Sequence, residues 1–324
     1  MKRLLVLAAM FLGCMATTFA QFSGSGSGTE SDPYLILNPI QLNQMRNFLN
    51  IDNVYFRLMS DIDLTEFIMD EYPSQGWLPV GISSTPFKGK LDGNGKTISG
   101  LWINRPSSDN IGFFGILRGT VKELTLEGNA INGKDYVGLL SGNCDGASIS
   151  NCVFSGNVWG SSYVGGCAGY GGTFDKVISS VNVNGKEYVG GISSGKAIFT
   201  NCIVECDYVK GNNYVGGICG LNSYNHRMNF CSSYTTVFGK NYVGGLCGKV
   251  GNNYSDCTNQ FNNCTFIGDI SADSYVGGIC GDYHGGGSMI RCFALGHITA
   301  TGNYVGGIIG SSTYYYDGRS LLSR

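Results

Sequence analysis

The sequence is poor in several features that mark common classes of function. Its 324 residues include only 6 prolines and 3 histidines, charged residues make up 14 %, and the formal net charge is −2. No close CxxC pair occurs, which argues against a zinc site, so we expect neither a metal nor a cofactor. Beyond the N-terminal twenty residues, no segment approaches the ~18 consecutive apolar residues that span a bilayer, so we expect no transmembrane segment.

The first twenty residues have the pattern of an export signal. Lys2 and Arg3 precede the apolar run Leu4 to Leu12, and "TFA" gives a cleavage pattern before Gln21. We therefore predict a signal peptide over 1–20 and an exported protein, extracellular or at the cell surface. Lipid attachment at Cys14, within the poor lipobox-like "FLGC", is the alternative. Cleavage removes two positive charges and takes the net charge from −2 to −4, which gives no electrostatic reason to expect nucleic acid as a partner.

A leader and a helix signal follow the predicted cleavage point. Residues 21–33 contain a Gly-Ser alternation, which predicts a flexible tether. Asn38 can then cap a helix, Pro39 suits its first position, and Gln41 lies three residues after the cap. We predict one short helix from about Pro39 to Asn50, with apolar residues at helical spacing: Ile40, Leu42, Met45, Phe48 and Leu49.

From Val54 onward, short β-like runs closed by Gly, Asn or Asp replace the helical pattern, and no further helix is expected. The tripeptide Tyr-Val-Gly recurs along this part, in six of seven cases as Tyr-Val-Gly-Gly. Successive copies are 27, 25, 26, 28, 33 and 29 residues apart, and "NIGFFG" at 110–115 is a degenerate earlier copy. The seven copies begin at Tyr136, Tyr163, Tyr188, Tyr214, Tyr242, Tyr275 and Tyr304.

Each unit also contains a second apolar run that carries a cysteine in most copies. A unit of about 26 residues cannot bury its apolar side alone, whereas stacked units can. If parallel coils stack every ~4.8 Å, the backbone of each coil pairs with that of the next. We therefore predict an all-β, single-stranded parallel β-helix. The cysteines of this run are Cys152, Cys202, Cys231, Cys264 and Cys292, with Val177 in the remaining unit.

The Gly-Gly pair is expected at a corner where a Cβ would collide with the neighbouring coil or require an unfavourable φ. The valine before the pair and the Ile or Leu after it are both expected to turn inward. A position three residues after the pair's first glycine holds small residues in most units, including Cys219, Cys247 and Cys280.

The order of motifs resembles that of the GLUG-motif repeat proteins of bacterial surfaces. It runs through "GSGTESDPYLI", "YFRLMSDIDL", "GWLPVG" and "PFKGKLDGNGKTISGLWINR" to the serial "YVGGICG" units, over roughly residues 24 to 310. The resemblance implies a right-handed, pectin-lyase-like β-helix with a helical N-terminal cap, exported and adhesin-like. It divides the chain into 34–118 for the cap and first coils, 119–310 for the repeats, and a tail over 311–324.

The family's motif also occurs attached to immunoglobulin A1 metalloproteases, but no HExxH sequence is present here. That activity is therefore not carried over. His226, His284 and His297 are interpreted as scattered surface residues.

Twelve of the thirteen cysteines follow the predicted signal. Because two sets repeat with the unit, we expect reduced thiols that pack like small apolar residues, with disulfides as the alternative. Cys144, Cys206 and Cys257 lie off these sets and are expected to be paired or exposed.

Six tyrosines are the candidate ligand-binding residues. Aligned along the coil axis, aromatic rings on the exterior could hold sugar rings or a protein partner. The alternative is that the rings stack on one another and only stabilise the corner. The candidates are Tyr163, Tyr188, Tyr214, Tyr242, Tyr275 and Tyr304.

Asp61 and Asp63 in "SDIDL" are alternative catalytic candidates, because two carboxylates on one strand face are typical of a glycosidase. Asp92 in "LDGNG" joins them as part of a possible acidic groove. The alternative assigns Asp61 and Asp63 to a coil end and "LDGNG" to a tight turn.

Together these patterns predict a noncatalytic secreted or cell-surface scaffold for adhesion, which binds host or dietary glycans or glycoproteins. A carbohydrate-active enzyme of the lyase or hydrolase type is one alternative, and a structural stalk of a larger surface protein is the other. The end of the β-helix shows no evident cap, so we also expect a truncated tail or end-to-end self-association.

Overall fold

The chain winds into a parallel β-helix, as predicted. The computed structural model describes residues 22–222, 227–251, 259–285 and 287–313. Three parallel sheets run along the axis, and each later coil contributes to all three. Register follows the sequence repeat, so that Val189, Val215 and Val243 are direct partners on successive coils.

The first sheet contains nineteen strands within the described ranges. The four coils between Lys90 and Asn184 cross it as one long strand each, whereas later coils break the same path into three short strands. The bounds are Tyr34–Ile36, Tyr55–Leu58, Ile62–Asp63, Lys90–Asn104, Thr120–Asn132, Ser148–Trp159, Thr173–Asn184, Ile198–Thr200, Ile203–Val204, Tyr208–Lys210, Arg227–Asn229, Ser232–Tyr234, Thr236–Phe238, Asn259–Asn262, Thr265–Ile267, Ile270–Ala272, Gly287–Ile290, Phe293–Leu295 and Ile298–Ala300.

The other two sheets are built from the Tyr-Val-Gly segments and the strands that follow them. In the described part of the chain, the second sheet has seven strands: Asp135–Val137, Ser162–Gly165, Glu187–Gly190, Asn213–Gly216, Asn241–Gly244, Ser274–Gly277 and Val305–Gly306. The third has eight: Phe114–Ile116, Ser141–Asn143, Ala168–Tyr170, Ser193–Gly195, Cys219–Asn222, Cys247–Val250, Cys280–His284 and Ile309–Thr313.

The core is a set of inward-facing columns in which equivalent residues of successive coils stack. Phe174, Phe199, Met228 and Phe261 form one such column and are fully buried. Burial of each such side chain stabilises the fold by about 1.5–3 kcal/mol relative to exposure. A coil therefore gains most of its stability from the coils on either side of it.

The Gly-Gly pairs serve the close approach that the sequence predicted. A Cβ on Gly217 would overlap the carbonyl oxygen of Gly245 in the next coil, and Gly191 meets Gly217 in the same way. Gly191 and Gly217 do not have a positive φ, so an unfavourable φ is not the reason for glycine at these two positions. Val215 and Ile218 on either side both turn inward and are fully buried, as expected.

The cysteines are packing residues. All eleven cysteines in the described ranges are free, and nine of them are buried. The cysteines that repeat with the unit donate to nearby carbonyls, as the Cys231 thiol does to the Asn229 carbonyl at 3.2 Å. Burial raises the pKa of the Cys247 thiol well above its ordinary value. The expectation that Cys144 is paired or exposed is wrong, because its side chain is fully buried and free. Cys206 is half-buried and free, and Cys257 lies outside the described residues.

The N-terminal cap contains the predicted helix in a shorter form. Asn38 Oδ1 accepts the Gln41 backbone N–H at 3.0 Å, an α-helix spans Pro39–Asn43, and a 3₁₀-helix continues over Gln44–Phe48. Ile40 differs from the predicted apolar stripe, because it is 61 % exposed. A second α-helix, Thr65–Glu71, contradicts the expectation that no helix follows Val54.

The Gly-Ser leader is also fixed in place, in contrast to the flexible tether that its composition predicted. Phe22 is buried, with its ring centroid 4.6 Å from that of Tyr34 and 6.0 Å from that of Phe56. The backbone N–H of Tyr55 donates to the Gly28 carbonyl at 2.9 Å. One aromatic anchor and a few backbone hydrogen bonds therefore order a segment with little other apolar surface.

Candidate functional site

The six candidate tyrosines form one continuous stack on the outside of the β-helix, and Tyr136 extends it by one ring. Neighbouring ring centroids lie between 4.5 and 4.9 Å apart, and the angles between ring planes run from 1° to 24°. We call this set the tyrosine ladder: Tyr136, Tyr163, Tyr188, Tyr214, Tyr242, Tyr275 and Tyr304.

Every tyrosine of the ladder has a left-handed backbone, with φ between 55° and 62°. For a bulky residue this conformation costs roughly 1–2 kcal/mol. A stacked aromatic pair returns about 0.5–1.5 kcal/mol beyond its area burial, so stacking offsets much of this strain. The degenerate copy has Asn110 at the same position with φ 58°, and asparagine is a residue that tolerates this conformation.

Stacking limits what the ladder can bind. The two faces of an inner ring such as Tyr214 are covered by Tyr188 and Tyr242, at centroid distances of 4.9 and 4.8 Å. No sugar ring can therefore lie flat on an inner tyrosine, and only the ring edges and hydroxyl groups are open to a partner. The geometry thus supports the alternative in which the rings stabilise the corner, and it leaves a row of phenol hydroxyl groups available for contact.

Two of these hydroxyl groups, those of Tyr163 and Tyr214, keep their protons at neutral pH. Burial, followed by the neighbouring phenols, raises the pKa of Tyr163 and of Tyr214 above the ordinary value. A protonated phenol both donates and accepts hydrogen bonds. These two hydroxyl groups can therefore act as both donors and acceptors toward a partner.

A row of polar side chains accompanies the ladder, one residue before each tyrosine. Asn213 Nδ2 donates to Glu187 Oε1 at 2.8 Å, and Asn241 Nδ2 donates to Asn213 Oδ1 at 3.0 Å. Sequence reasoning missed this row, although the polar residue before every Tyr-Val-Gly copy was the available signal. The hydrogen bonds fix the amides beside the ring edges.

A charged cluster, also missed, lies beside the ladder. Lys249 Nζ is 5.2 Å from the Tyr242 ring centroid and 3.0 Å from Asp282 Oδ2, and His284 Nε2 is 2.8 Å from the same oxygen. Asp282 is almost fully buried. The interpretation of His284 as a scattered surface residue is therefore wrong. His297 is exposed as predicted, and His226 lies outside the described residues.

Asp61 and Asp63 hold the backbone at a coil end. Asp63 Oδ1 accepts the backbone N–H of Thr65 at 2.8 Å and its hydroxyl at 2.6 Å, and these bonds lower the pKa of Asp63. Asp61 Oδ1 accepts the backbone N–H of Thr97 at 2.8 Å. Both carboxylates thus have the structural contacts that the sequence-based alternative assigned to them.

Asp92 is paired with two cations, which disfavours the acidic groove that the enzyme alternative placed around it. Its Oδ2 accepts from Arg57 Nη2 at 3.0 Å and lies 3.2 Å from Lys122 Nζ. The segment "LDGNG" forms a bulge inside a long strand, because the three residues between Asp92 and Lys96 oppose the single residue between Lys122 and Leu124. The prediction of a simple tight turn is corrected accordingly.

The comparisons with known proteins support the fold. A crystal structure titled as a putative immunoglobulin A1 protease from Bacteroides ovatus superposes with a TM-score of 0.54 at 21 % identity, covering 89 % of this chain and 86 % of that one. At that identity the likeness shows the β-helix fold alone. No family model matches the chain, so membership of the GLUG-motif family stays a prediction.

Two curated proteins resemble parts of the chain. A Gly-rich membrane protein of Evansella cellulosilytica is 39 % identical over 127 residues, 38 % of this chain and 14 % of the relative. Halomucin of Haloquadratum walsbyi is 34 % identical over 151 residues, 45 % of this chain and 2 % of the relative. The matches thus span a small share of both relatives. Among the described helices, none has the length and apolar character to cross a membrane.

Proposed function

We propose that the chain is a noncatalytic, exported scaffold at the cell surface that contributes to adhesion by binding host or dietary glycans or glycoproteins. The observation that carries this proposal is the tyrosine ladder. Its rings, with centroids 4.5 to 4.9 Å apart, present their edges and hydroxyl groups on a rigid outer face. A bound glycan accepts and donates hydrogen bonds along this row and contacts the amides beside it.

The mechanism is distributed contact. Strand register fixes each hydroxyl relative to the next, so binding orders few side chains and loses little conformational entropy. Each contact is weak, and repetition along the axis raises the overall strength through multivalency. The resemblance to a Gly-rich membrane protein and to a halomucin supports a repeat scaffold at the surface.

The test is a glycan-array and mucin-binding screen with the parent and two triple variants. Replacing Tyr188, Tyr214 and Tyr242 by Phe keeps the stack and removes three hydroxyl groups, whereas replacing them by Ala removes the rings. Tyr234→Phe is the matched control, because Tyr234 is 45 % exposed and lies on the first sheet.

Loss of binding in both folded triple variants, with binding retained by the control, supports the ladder as the adhesion surface. Binding that survives in the Phe variant and is lost in the Ala variant assigns the contact to the ring edges. No binding by the parent contradicts the proposal and favours the stalk. Turnover of a glycan favours the carbohydrate-active enzyme.

A further inference from the structure

A second candidate site lies N-terminal to the ladder, on the outer face of the first sheet. A cleft of about 270 Å³ opens there between the ordered leader and the first strands. The leader contributes Glu30 and Pro33 to one side of it. The charged residues that line the cleft are Glu30, Arg57, Lys90, Asp92 and Lys122, and Tyr55 lies among them.

Strand register arranges these residues in two rows. Tyr55, Lys90 and Thr120 are partners on three successive coils, and Arg57, Asp92 and Lys122 are partners one step further along the same strands. Rows two residues apart on a strand are roughly 7 Å apart, and coils are separated by ~4.8 Å. The polar groups therefore form a rigid grid before any ligand arrives.

Positive charge exceeds negative charge in this grid. Asp92 Oδ2 faces both Arg57 and Lys122, at 3.0 and 3.2 Å. Glu123, which does not line the cleft, is a longer second partner of Lys122 at 3.9 Å.

Lys90 makes its hydrogen bond to a neutral partner, and the Glu30 carboxylate also acts on it electrostatically. Its Nζ donates to the Tyr55 hydroxyl at 2.7 Å and lies 4.5 Å from that ring's centroid. The hydrogen bond to Tyr55 raises the pKa of Lys90, so the ammonium stays charged at neutral pH. Glu30 is the second carboxylate of the cleft, and its side chain sits on the exposed leader.

We propose that this cleft binds an acidic saccharide, a glycan that carries carboxylate or sulfate groups. Lys90 and the Arg57–Lys122 pair meet the anionic group, while the hydroxyl groups of Tyr55 and Thr120 face the neutral parts of the sugar. The cleft is open, which suits a segment of a polymer. The negative charge of the whole chain does not oppose this local attraction, because exposed charges are screened beyond roughly 8 Å at physiological salt.

This proposal is independent of the tyrosine ladder. Two substitutions test it, one that neutralises a cation and one that neutralises a carboxylate. Lys90→Gln removes a cation, and Glu30→Gln removes the carboxylate that repels an anion. Lys210→Gln is the matched control, because Lys210 is an exposed strand residue outside the cleft. The probe is hyaluronan, with carboxyl-reduced hyaluronan as its neutral counterpart, measured by calorimetry on the full chain.

We expect the parent to bind hyaluronan and not the reduced polymer. Lys90→Gln should weaken binding about three- to tenfold, the range for losing one charge-assisted hydrogen bond at an exposed site. Glu30→Gln should strengthen it, Lys210→Gln should leave it unchanged, and added salt should weaken it.

Three results overturn the proposal: no binding by the parent, equal binding of both polymers, or Lys90→Gln and Glu30→Gln shifting affinity in the same direction. Inorganic phosphate that binds the cleft while hyaluronan does not would identify a simple anion site instead. The triple Phe variant of the ladder should bind hyaluronan like the parent, so failure here is distinguishable from failure of the ladder.

Discussion

Substitutions of Tyr214 separate two contributions to stability, the stacking of its ring and the strain of its left-handed backbone. Its ring stacks on Tyr188 at 4.9 Å and on Tyr242 at 4.8 Å, while its backbone has φ 55°. Two stacked pairs contribute about 1–3 kcal/mol, and the left-handed backbone costs roughly 1–2 kcal/mol. The side chain of Tyr214 thus stabilises the fold, whereas its backbone conformation destabilises it.

Three substitutions at this position give three different expectations. Tyr214→Phe keeps both stacks and the strain, so the free energy of unfolding should change by less than about 0.5 kcal/mol. Tyr214→Ala loses the stacks and keeps the strain, so it should cost about 1–3 kcal/mol. Tyr214→Asn loses the same stacks but suits the left-handed backbone, as Asn110 does, so it should be roughly 1 kcal/mol less destabilised than Ala.

Equilibrium urea unfolding followed by circular dichroism measures these differences, and hydrogen exchange of the Tyr214 coil covers the case in which coils unfold separately. An Ala variant as stable as the Phe variant would show that stacking contributes nothing. An Asn variant less stable than the Ala variant would refute the argument from backbone strain.

Three further substitutions or treatments probe the coil contacts. Gly217→Ala should destabilise the fold by about 2–3 kcal/mol through overlap with the next coil, whereas Gly307→Ala, with open space around it, should cost little in the same urea titration. Burial raises the pKa of Cys247, so its thiol should resist a disulfide reagent at pH 8 until urea is added, and rapid labelling of the folded protein would contradict this.

Asp92 adds a pH dependence to this group: burial alone would raise its pKa, but hydrogen bonds outweigh burial and lower it. Its share of stability is therefore full above about pH 4, the ordinary value, and is lost as pH falls through the lowered pKa. Asp92→Asn should flatten the stability profile below pH 4, and an unchanged acid profile would refute this.

Much of the fold follows from sequence because repetition leaves few alternatives. Units of 25 to 33 residues with one Tyr-Val-Gly each could bury their apolar sides only by stacking, and Asn38 with Pro39 marked the first helix. The second helix, Thr65–Glu71, was missed because its pattern is too short to stand out. The coil-end interpretation of Asp63 agrees with its contacts, but the sequence did not show that Asp63 binds the first residue of a helix.

The site was harder to predict, because its properties depend on contacts between coils. The sequence placed six tyrosines in one column, but tyrosine has no preference for a left-handed backbone that would reveal the corner. Nor does the sequence alone show that the ring faces cover one another. The pairing of Asp92 was not visible in the sequence for a similar reason. Arg57 and Lys122 lie 35 and 30 residues from Asp92 and reach it only through strand register.

Coil stacking also sets how the molecule responds to mechanical tension. The backbone hydrogen bonds between coils join each coil only to its two neighbours, so a pull on one end loads the terminal coil first. Detaching one coil of 25 to 33 residues releases roughly 85–110 Å of extended chain. The β-helix would then lengthen stepwise under load while the remaining coils stay folded. An adhesive contact on coils away from the loaded end would therefore persist after the terminal coil has detached.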